Sequence, residues 1–212
     1  MAKPVSVPVK SPKGILEWVI ISGEGRPNKT GKLMYKASVV CDPATPGVEA
    51  FKKMIDDFWK ENKPKACKLN GFTTIGYRPH SVKSAEVDEE GDAIYKEDGM
   101  IEFFFSTGTT WPDGSQKKIK VYNAKGREVD IGNKKIGNGS EGRISGNMTI
   151  YDVAGNSGVN LYLSSVMITK FQEYVDGDNW SDEAEDTENG WTGEDENEWT
   201  GDDAPEESKP RL

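Results

Sequence analysis

Apolar and polar residues alternate with a period of two through one segment after another of this chain, while a helical period holds through a single segment. "KLMYKASVVC" (32–41) places Leu33, Tyr35, Ala37, Val39 and Cys41 on one face. "MIEFFFST" (100–107) does the same with Ile101, Phe103 and Phe105. In "KKIKVYN" (117–123), Ile119 and Val121 face one way; Lys118, Lys120 and Tyr122 face the other. "GRISGNMTIYDV" (142–153) sets Ile144, Met148 and Ile150 against Arg143, Asn147, Thr149 and Tyr151. Successive strand residues point to opposite sides, so each segment reads as a strand with one buried and one wet face. "ILEWVII" (15–21) and "GFTTIGYRP" (71–79) read as strands from their apolar and β-branched content. "GVNLYLSSVMITKFQEY" (158–174) is a long strand whose alternation slips at Ser164–Ser165, which marks a bulge or bend.

The helical segment is "DPATPGVEAFKKMIDDFWKENKPK" (42–65), with Val48, Phe51, Ile55, Phe58 and Trp59 at helical spacing. That stripe reads as core packing, and Asn62 and Pro64 end the helix. "SGEGRPNKTG" (22–31) and "TGTTWPDGSQ" (107–116) are turn-rich connections. "SAEVDEEGDAIYKEDG" (84–99), with seven acids and one lysine, reads as an exposed hairpin or loop. Helix and strands do not alternate, which argues against a parallel βαβ sheet. The expected fold is mainly β: an OB-fold-like antiparallel five-stranded barrel with one capping α-helix and flexible termini. A β-sandwich is the alternative. The expected organisation is a flexible basic N-terminal arm (1–13), an OB-fold domain (14–175) and a disordered acidic C-terminal tail (176–212).

Charge divides along the same line. The chain carries a net −9, yet residues 176–212 hold 15 acidic and 2 basic residues, which leaves residues 1–175 at +4. A mildly basic body joined to an acidic tail is a cue for nucleic-acid binding. No apolar run approaches the ~20 residues that span a bilayer. "MAKPVSVPVKSPKG" (1–14) has no apolar signal region, so a cytoplasmic protein is expected. Cys41 and Cys67 are then free thiols rather than a disulfide.

The chemistry-bearing motifs are weak. "GNGSEG" (137–142) spells a dinucleotide fingerprint, but a strand follows it where a helix would have to stand, so it reads as a glycine-rich hairpin. "DGDNWSDEAEDTE" (176–188) has serine and threonine where a calcium loop needs glycine and glutamate. One histidine and two cysteines do not supply a standard zinc set. No nucleophile elbow or triad pattern surrounds His80. An enzyme is not expected, and no cofactor or metal is implied.

What stands out are strand faces and turns that carry cations and rings together: Lys118, Lys120 and Tyr122; Arg143 and Tyr151; Tyr77 and Arg78; and Trp111. Cations tracking phosphates and rings stacking on bases are what sequence-independent single-strand binding requires.

"VVCDPATPGVEAFKKMIDDF" (39–58), "VYNAKGREV" (121–129), "IGNGSEGRISGNMTIY" (136–151) and "VNLYLSSVMITKFQEY" (159–174), running into the acidic tail, follow one another in a familiar order. In this the chain resembles bacteriophage single-stranded DNA-binding proteins of the OB-fold type with an acidic C-terminal tail. The resemblance covers most of 32–212. It implies a host-cytoplasmic accessory protein of phage DNA replication, recombination and repair. Such a protein coats single-stranded DNA and recruits DNA polymerase, helicase-primase and other replication proteins through its tail. Homodimers or cooperative arrays on DNA are also implied. In related proteins the tail often ends in an aromatic residue, whereas this one ends "SKPRL"; Trp180, Trp191 and Trp199 are the expected substitutes. Carboxylates and indoles together mimic a single strand, so the tail is expected to compete with DNA for the body. The alternative is a histone-like chaperone or DNA mimic that acts through the tail alone.

Overall fold

The computed structural model describes residues 5–64, 75–153 and 156–174. The chain divides into two units, Met1–Val175 and Asp176–Leu212, and the described residues all belong to the first. Cys67, the first four residues of the 71–79 segment, and Trp180, Trp191 and Trp199 lie outside the described residues.

Among the described residues there are ten strands and one helix, so the fold is mainly β. In chain order the strands are β1 (Ser6–Lys10), β2 (Gly14–Ile20), β3 (Arg26–Pro27), β4 (Leu33–Cys41), β5 (Tyr77–Val87), β6 (Ala93–Gly108), β7 (Lys120–Tyr122), β8 (Glu128–Val129), β9 (Ser140–Val153) and β10 (Asn156–Lys170). Helix α1 (Val48–Asn62) lies between β4 and β5 in the chain. β2 pairs with β4, β4 with β6, β6 with β10, β10 with β9, and β9 returns to β2. The sheet is mixed: β10 runs parallel to both β6 and β7, where antiparallel pairing throughout was expected. Parallel neighbours need a long crossover, and β7, β8 and β9 intervene between β6 and β10.

Apart from Leu33, which is exposed at the start of β4, and Ile150, which is only partly covered, the alternation is realised as burial. Tyr35, Ala37, Val39 and Cys41 of β4, Ile101, Phe103 and Phe105 of β6, and Ile144 and Met148 of β9 all lie in the core. Val159, Leu161, Leu163 and Val166 of β10 join them, and the in-phase step from 163 to 166 requires a register slip. The slip occurs between Leu163 and Ser165, where the alternation breaks in sequence, and the Ser145 and Ser165 hydroxyls bond across it at 2.7 Å. The helix buries Val48, Phe51, Ile55 and Phe58, and Phe51 meets Phe103 edge-on with ring centroids 4.9 Å apart. The acidic 84–99 segment forms the exposed end of the β5–β6 hairpin, turned at Asp88, whose carboxylate accepts from the N–H groups of Glu90 and Asp92. Cys41 is a buried free thiol, and burial pushes it up to about 11, well away from reactivity at neutral pH.

The 1–13 segment differs from expectation. Ser6–Lys10 is a strand paired with β9 from Thr149 to Ser145, with Val9 buried. Three prolines and three lysines masked the Val5–Val7–Val9 alternation. Pro8 is tolerated because β1 is an edge strand, where a missing N–H need not break a ladder.

β9 can reach both β10 and β2 because glycines stand where it turns. A Cβ on Gly142 would collide with the Met167 carbonyl, and one on Gly146 with the Tyr162 carbonyl. Gly146→Ala is expected to cost about 1–3 kcal/mol, the range for overpacking a tight site. Urea denaturation would show this as a lowered midpoint with an unchanged slope.

Candidate nucleic-acid interface

β2 leaves its register with β4 after Glu17↔Ser38 and regains it at Ile20↔Lys36, so an extra residue bulges out. The bulge carries Trp18 at φ 52, the left-handed region, and leaves its side chain 61% exposed. A bulky residue rarely adopts this conformation, and one that does is held there by its surroundings. Part of the hold is visible: the Trp18 N–H donates to Asn138 Oδ1 at 2.9 Å.

Beside this indole runs a groove of about 680 Å³ lined by Lys36 and Ser38 of β4, Tyr77 and Arg78 of β5, and Glu102, Phe104 and Ser106 of β6. Its floor is organised by Glu102, which is buried. Its two oxygens accept from Ser38 Oγ and from Arg78 Nε, each at 2.6 Å. Arg78 remains two-thirds exposed, lies 5.9 Å from the Phe104 ring centroid, and keeps its terminal amino groups beyond the Glu102 bond. Among the described residues, no carboxylate pairs with Lys36. Tyr162 of β10 is the register partner of Ser106, so its exposed ring stands on the same side of the sheet. The groove thus combines four rings with two cations, and one carboxylate that is already neutralised.

The outward row of β6 continues from Phe104 through Ser106 to Gly108, over which the Lys32 side chain lies. Lys117 follows: burial, then the Lys32 charge, pushes its ammonium down from the ordinary lysine range. It sits 4.7 Å from the exposed Trp111 ring and donates to Thr107 Oγ1 at 2.9 Å. Tyr77–Arg78 and Trp111, three of the sequence-derived residues, therefore lie towards the two ends of one strip. Tyr77 is partly structural. Its hydroxyl donates to Asp56 Oδ1 of the helix at 2.8 Å, and its ring packs 5.9 Å from Phe103. Burial, followed by the Asp56 bond and charge, pushes the phenol above its usual range.

Of the remaining sequence-derived residues, Lys118, Lys120, Tyr122 and Arg143 form a second face, around β7 and the start of β9. Met167 of β10 is the register partner of both Tyr122 of β7 and Arg143 of β9, so those two side chains stand in one row. Lys118 and Lys120 line a recess of about 340 Å³ with Ile21, Val129 and Ile131. Lys120 is committed to Glu128 at 3.0 Å, and that bond raises its ammonium's affinity for the proton. Tyr151 lies farther along β9, opposite Gly158.

Sequence reasoning missed Trp18, Lys36, Phe104 and Tyr162. For the last three the signal was present: each sits out of phase with the buried residues of its strand, and an aromatic on the wet face has no core to fill. Trp18 had no such signal, because "ILEWVII" is apolar apart from Glu17 and hides its bulge.

No protein-family model matches the chain, and no curated protein matches its sequence. Its fold matches solved structures. One is gp2.5, a single-stranded DNA-binding protein encoded by bacteriophage T7: TM-score 0.53, 19% identity, covering 88% of this chain and 98% of that one. Another is a C-terminal truncation of the single-stranded DNA-binding protein from bacteriophage Enc34: TM-score 0.55, 16% identity, 79% and 88% covered. The Enc34 protein in complex with ssDNA gives 0.54, 17%, 80% and 89%. The chain therefore has the fold of phage single-stranded DNA-binding proteins.

Tyr77→Phe removes the Asp56 bond and keeps the ring. It is expected to lower unfolding free energy by about 0.5–1.5 kcal/mol, read by chemical denaturation.

Proposed function

We propose that this chain is a sequence-independent single-stranded DNA-binding protein of OB type, with the groove beside Trp18 as its DNA path and no catalysis. The observation that carries the proposal is the groove's makeup: the exposed rings of Trp18 on β2 and Tyr162 on β10 and the half-buried ring of Phe104 on β6 stand beside the cations Lys36 of β4 and Arg78 of β5. The five strands β2, β4, β6, β9 and β10, whose pairings return to their start, are read as the barrel. In that reading β4 and β6 are its second and third strands, the face on which OB folds bind oligonucleotides. The likeness in fold to the T7 and Enc34 proteins supports the same reading.

In the mechanism, Lys36, Arg78 and Lys32 pair with phosphates and release counterions, so affinity falls with salt at about −0.7 in log–log slope per phosphate neutralised. Trp18, Phe104 and Tyr162 stack on bases, which depends little on salt or on sequence. Glu102 holds the Arg78 guanidinium ready at the groove floor. The second face, with Lys118, Tyr122 and Arg143, and Tyr151 farther along β9 extend the path for a longer strand. The acidic segment 176–212, at −13, competes with DNA for the basic body, and its Trp180, Trp191 and Trp199 serve replication partners such as polymerase and helicase-primase once DNA displaces it. A role in phage replication, recombination and repair in the host cytoplasm belongs to the same proposal, as does assembly into homodimers or arrays.

Anisotropy of a labelled dT oligomer across a salt series tests the site. Trp18→Ala and Phe104→Ala are each expected to weaken binding by about fivefold to a hundredfold, the worth of one stacked base. Arg78→Ala is expected to flatten the salt slope by ~0.7. Larger losses from Lys118→Ala or Arg143→Ala would move the path to the second face. No binding by the intact chain at low salt would end the proposal and leave the acidic segment as the place to seek a partner.

Removing residues 176–212 is expected to tighten binding at low salt and to matter little at high salt, because competition between a tethered anion and DNA is itself electrostatic. Equal affinities with and without the segment at low salt would exclude the competition.

A further inference from the structure

His80 is the single histidine of the chain, and the DNA groove does not use it. It is buried in the β5 strand, and both ring nitrogens face carboxylates. Nδ1 lies 2.8 Å from Asp98 Oδ2 of β6, and Nε2 lies 3.3 Å from Glu17 Oε2 of β2. Among the described residues these are the charged groups that reach it; Arg78, two positions back on β5, is engaged by Glu102.

Both carboxylates sit at irregularities. Glu17 is the last paired residue before the bulge that carries Trp18. Asp98 lies where the β5–β6 hairpin breaks register, between Pro79↔Ile101 and Ser81↔Glu97, beside Gly99 at φ 82. His80 thus ties the Trp18 bulge to the root of the hairpin. An ionised carboxylate only accepts hydrogen bonds, whereas an imidazolium donates from both nitrogens and a neutral imidazole from one. Two carboxylates can therefore both be held only by the charged ring. On deprotonation one must let go. Asp98 is the shorter bond and is also fixed by the Met100 N–H at 3.0 Å, so Glu17 is the one released.

We propose that His80 is a positioning residue for the single-strand groove: in its charged form it clamps Glu17 and Asp98 and so holds Trp18 ready for a base, and loss of its proton frees the bulge. This rests on the Trp18 groove being the DNA path. Trp18 would then have two anchors, the Asn138 bond to its own N–H and the His80 bond to its neighbour, and an ordered ring binds without the cost of being ordered.

The charge balance agrees in sign. Burial lowers the imidazole's proton affinity, but the Asp98 bond and the Glu17 and Asp98 charges outweigh it, and His80 ends above the ordinary histidine value. A raised value means the clamp is fully present below the ordinary histidine range, about 6.5, and is lost as pH rises through the folded-state value. The ordinary lysine and arginine values lie well above that window, so phosphate contacts do not produce this step; Lys117, which is pushed down, is not among those contacts.

The test uses the full, untagged chain, whose one histidine gives a single imidazole resonance. NMR titration from about pH 5 to 9.5 reads His80 directly, and anisotropy of a labelled dT oligomer at constant ionic strength reads affinity. Affinity is expected to fall with rising pH through the midpoint of the imidazole titration, by no more than the about fivefold to hundredfold that removing the Trp18 ring costs. His80→Gln is expected to bind at the wild-type high-pH level at every pH, and Trp18→Ala to show no step. Glu17→Gln guards against a His80 variant that does not fold: its imidazole should still titrate, at a lower midpoint, with no step in affinity. A step that persists in His80→Gln or in Trp18→Ala, or one displaced from the imidazole midpoint, would overturn the positioning role. Firm binding with a flat pH profile would also overturn it and leave the groove standing. No binding at any pH would overturn both.

Discussion

The close approach of β9 to the strands on either side of it is the contact on which the rest of this structure depends. β9 is shared: along its length it pairs with β10, with β1, and at its start with β2. A strand can serve neighbours on a strongly curved path only if the backbone can coil tightly. Gly142, paired with Gly14 of β2, and Gly146 supply that freedom by leaving space where a Cβ would strike a carbonyl. Because the pairings return to their start, the inward side chains of all five strands meet in one core. The outward side chains of β4 and β6 are left standing side by side, and the candidate groove is a consequence of that exposure.

Much of this was legible in the sequence, for a physical reason. A strand with one wet face must alternate, so Phe103, Phe105, Ile144 and Met148 could be assigned inward without any knowledge of their neighbours. The slip at Ser164–Ser165 was legible too, because an inserted residue inverts the phase of everything after it. The helix was marked by its spacing, and its buried residues are those of the apolar stripe, with Trp59 only partly covered. What resisted reading were features set by partners distant in the chain. The parallel pairing of β10 with β6 follows from chain order in space, not from either strand's composition. β1 was hidden by Pro8 and the prolines at 4 and 12 on either side of the strand, and the bulge at Trp18 by a largely apolar run in which no phase can be read.

The candidate site shows the same limit more sharply. Pairs such as Lys118 and Lys120 look like a basic face in sequence, but Lys120 is bonded to Glu128, eight residues on, across the β7–β8 turn. Charge counted along a strand is not charge available to a ligand. Arg78 is the converse case. It also has a carboxylate partner, but Glu102 is buried and takes only Nε, so the partner fixes the guanidinium without using it up. Which of these two situations holds depends on the burial of the acid, which no local pattern reveals.

The carboxylates in and beside the groove are then no contradiction of a site for a polyanion. Glu102 is enclosed by Ser38 and Arg78, and Glu17 lies against His80, so neither presents a bare negative charge to an approaching phosphate. An acid held in this way exchanges electrostatic attraction for geometry: it lowers the net positive charge of the surface and in return fixes where a cation or a ring stands. For a ligand as flexible as a single strand, most of whose binding cost is ordering, a surface that is already ordered gains more from that exchange than from an added lysine. This also accounts for a body that is only mildly basic at +4. Its affinity for a strand would come from a few rings and cations held in place rather than from bulk charge.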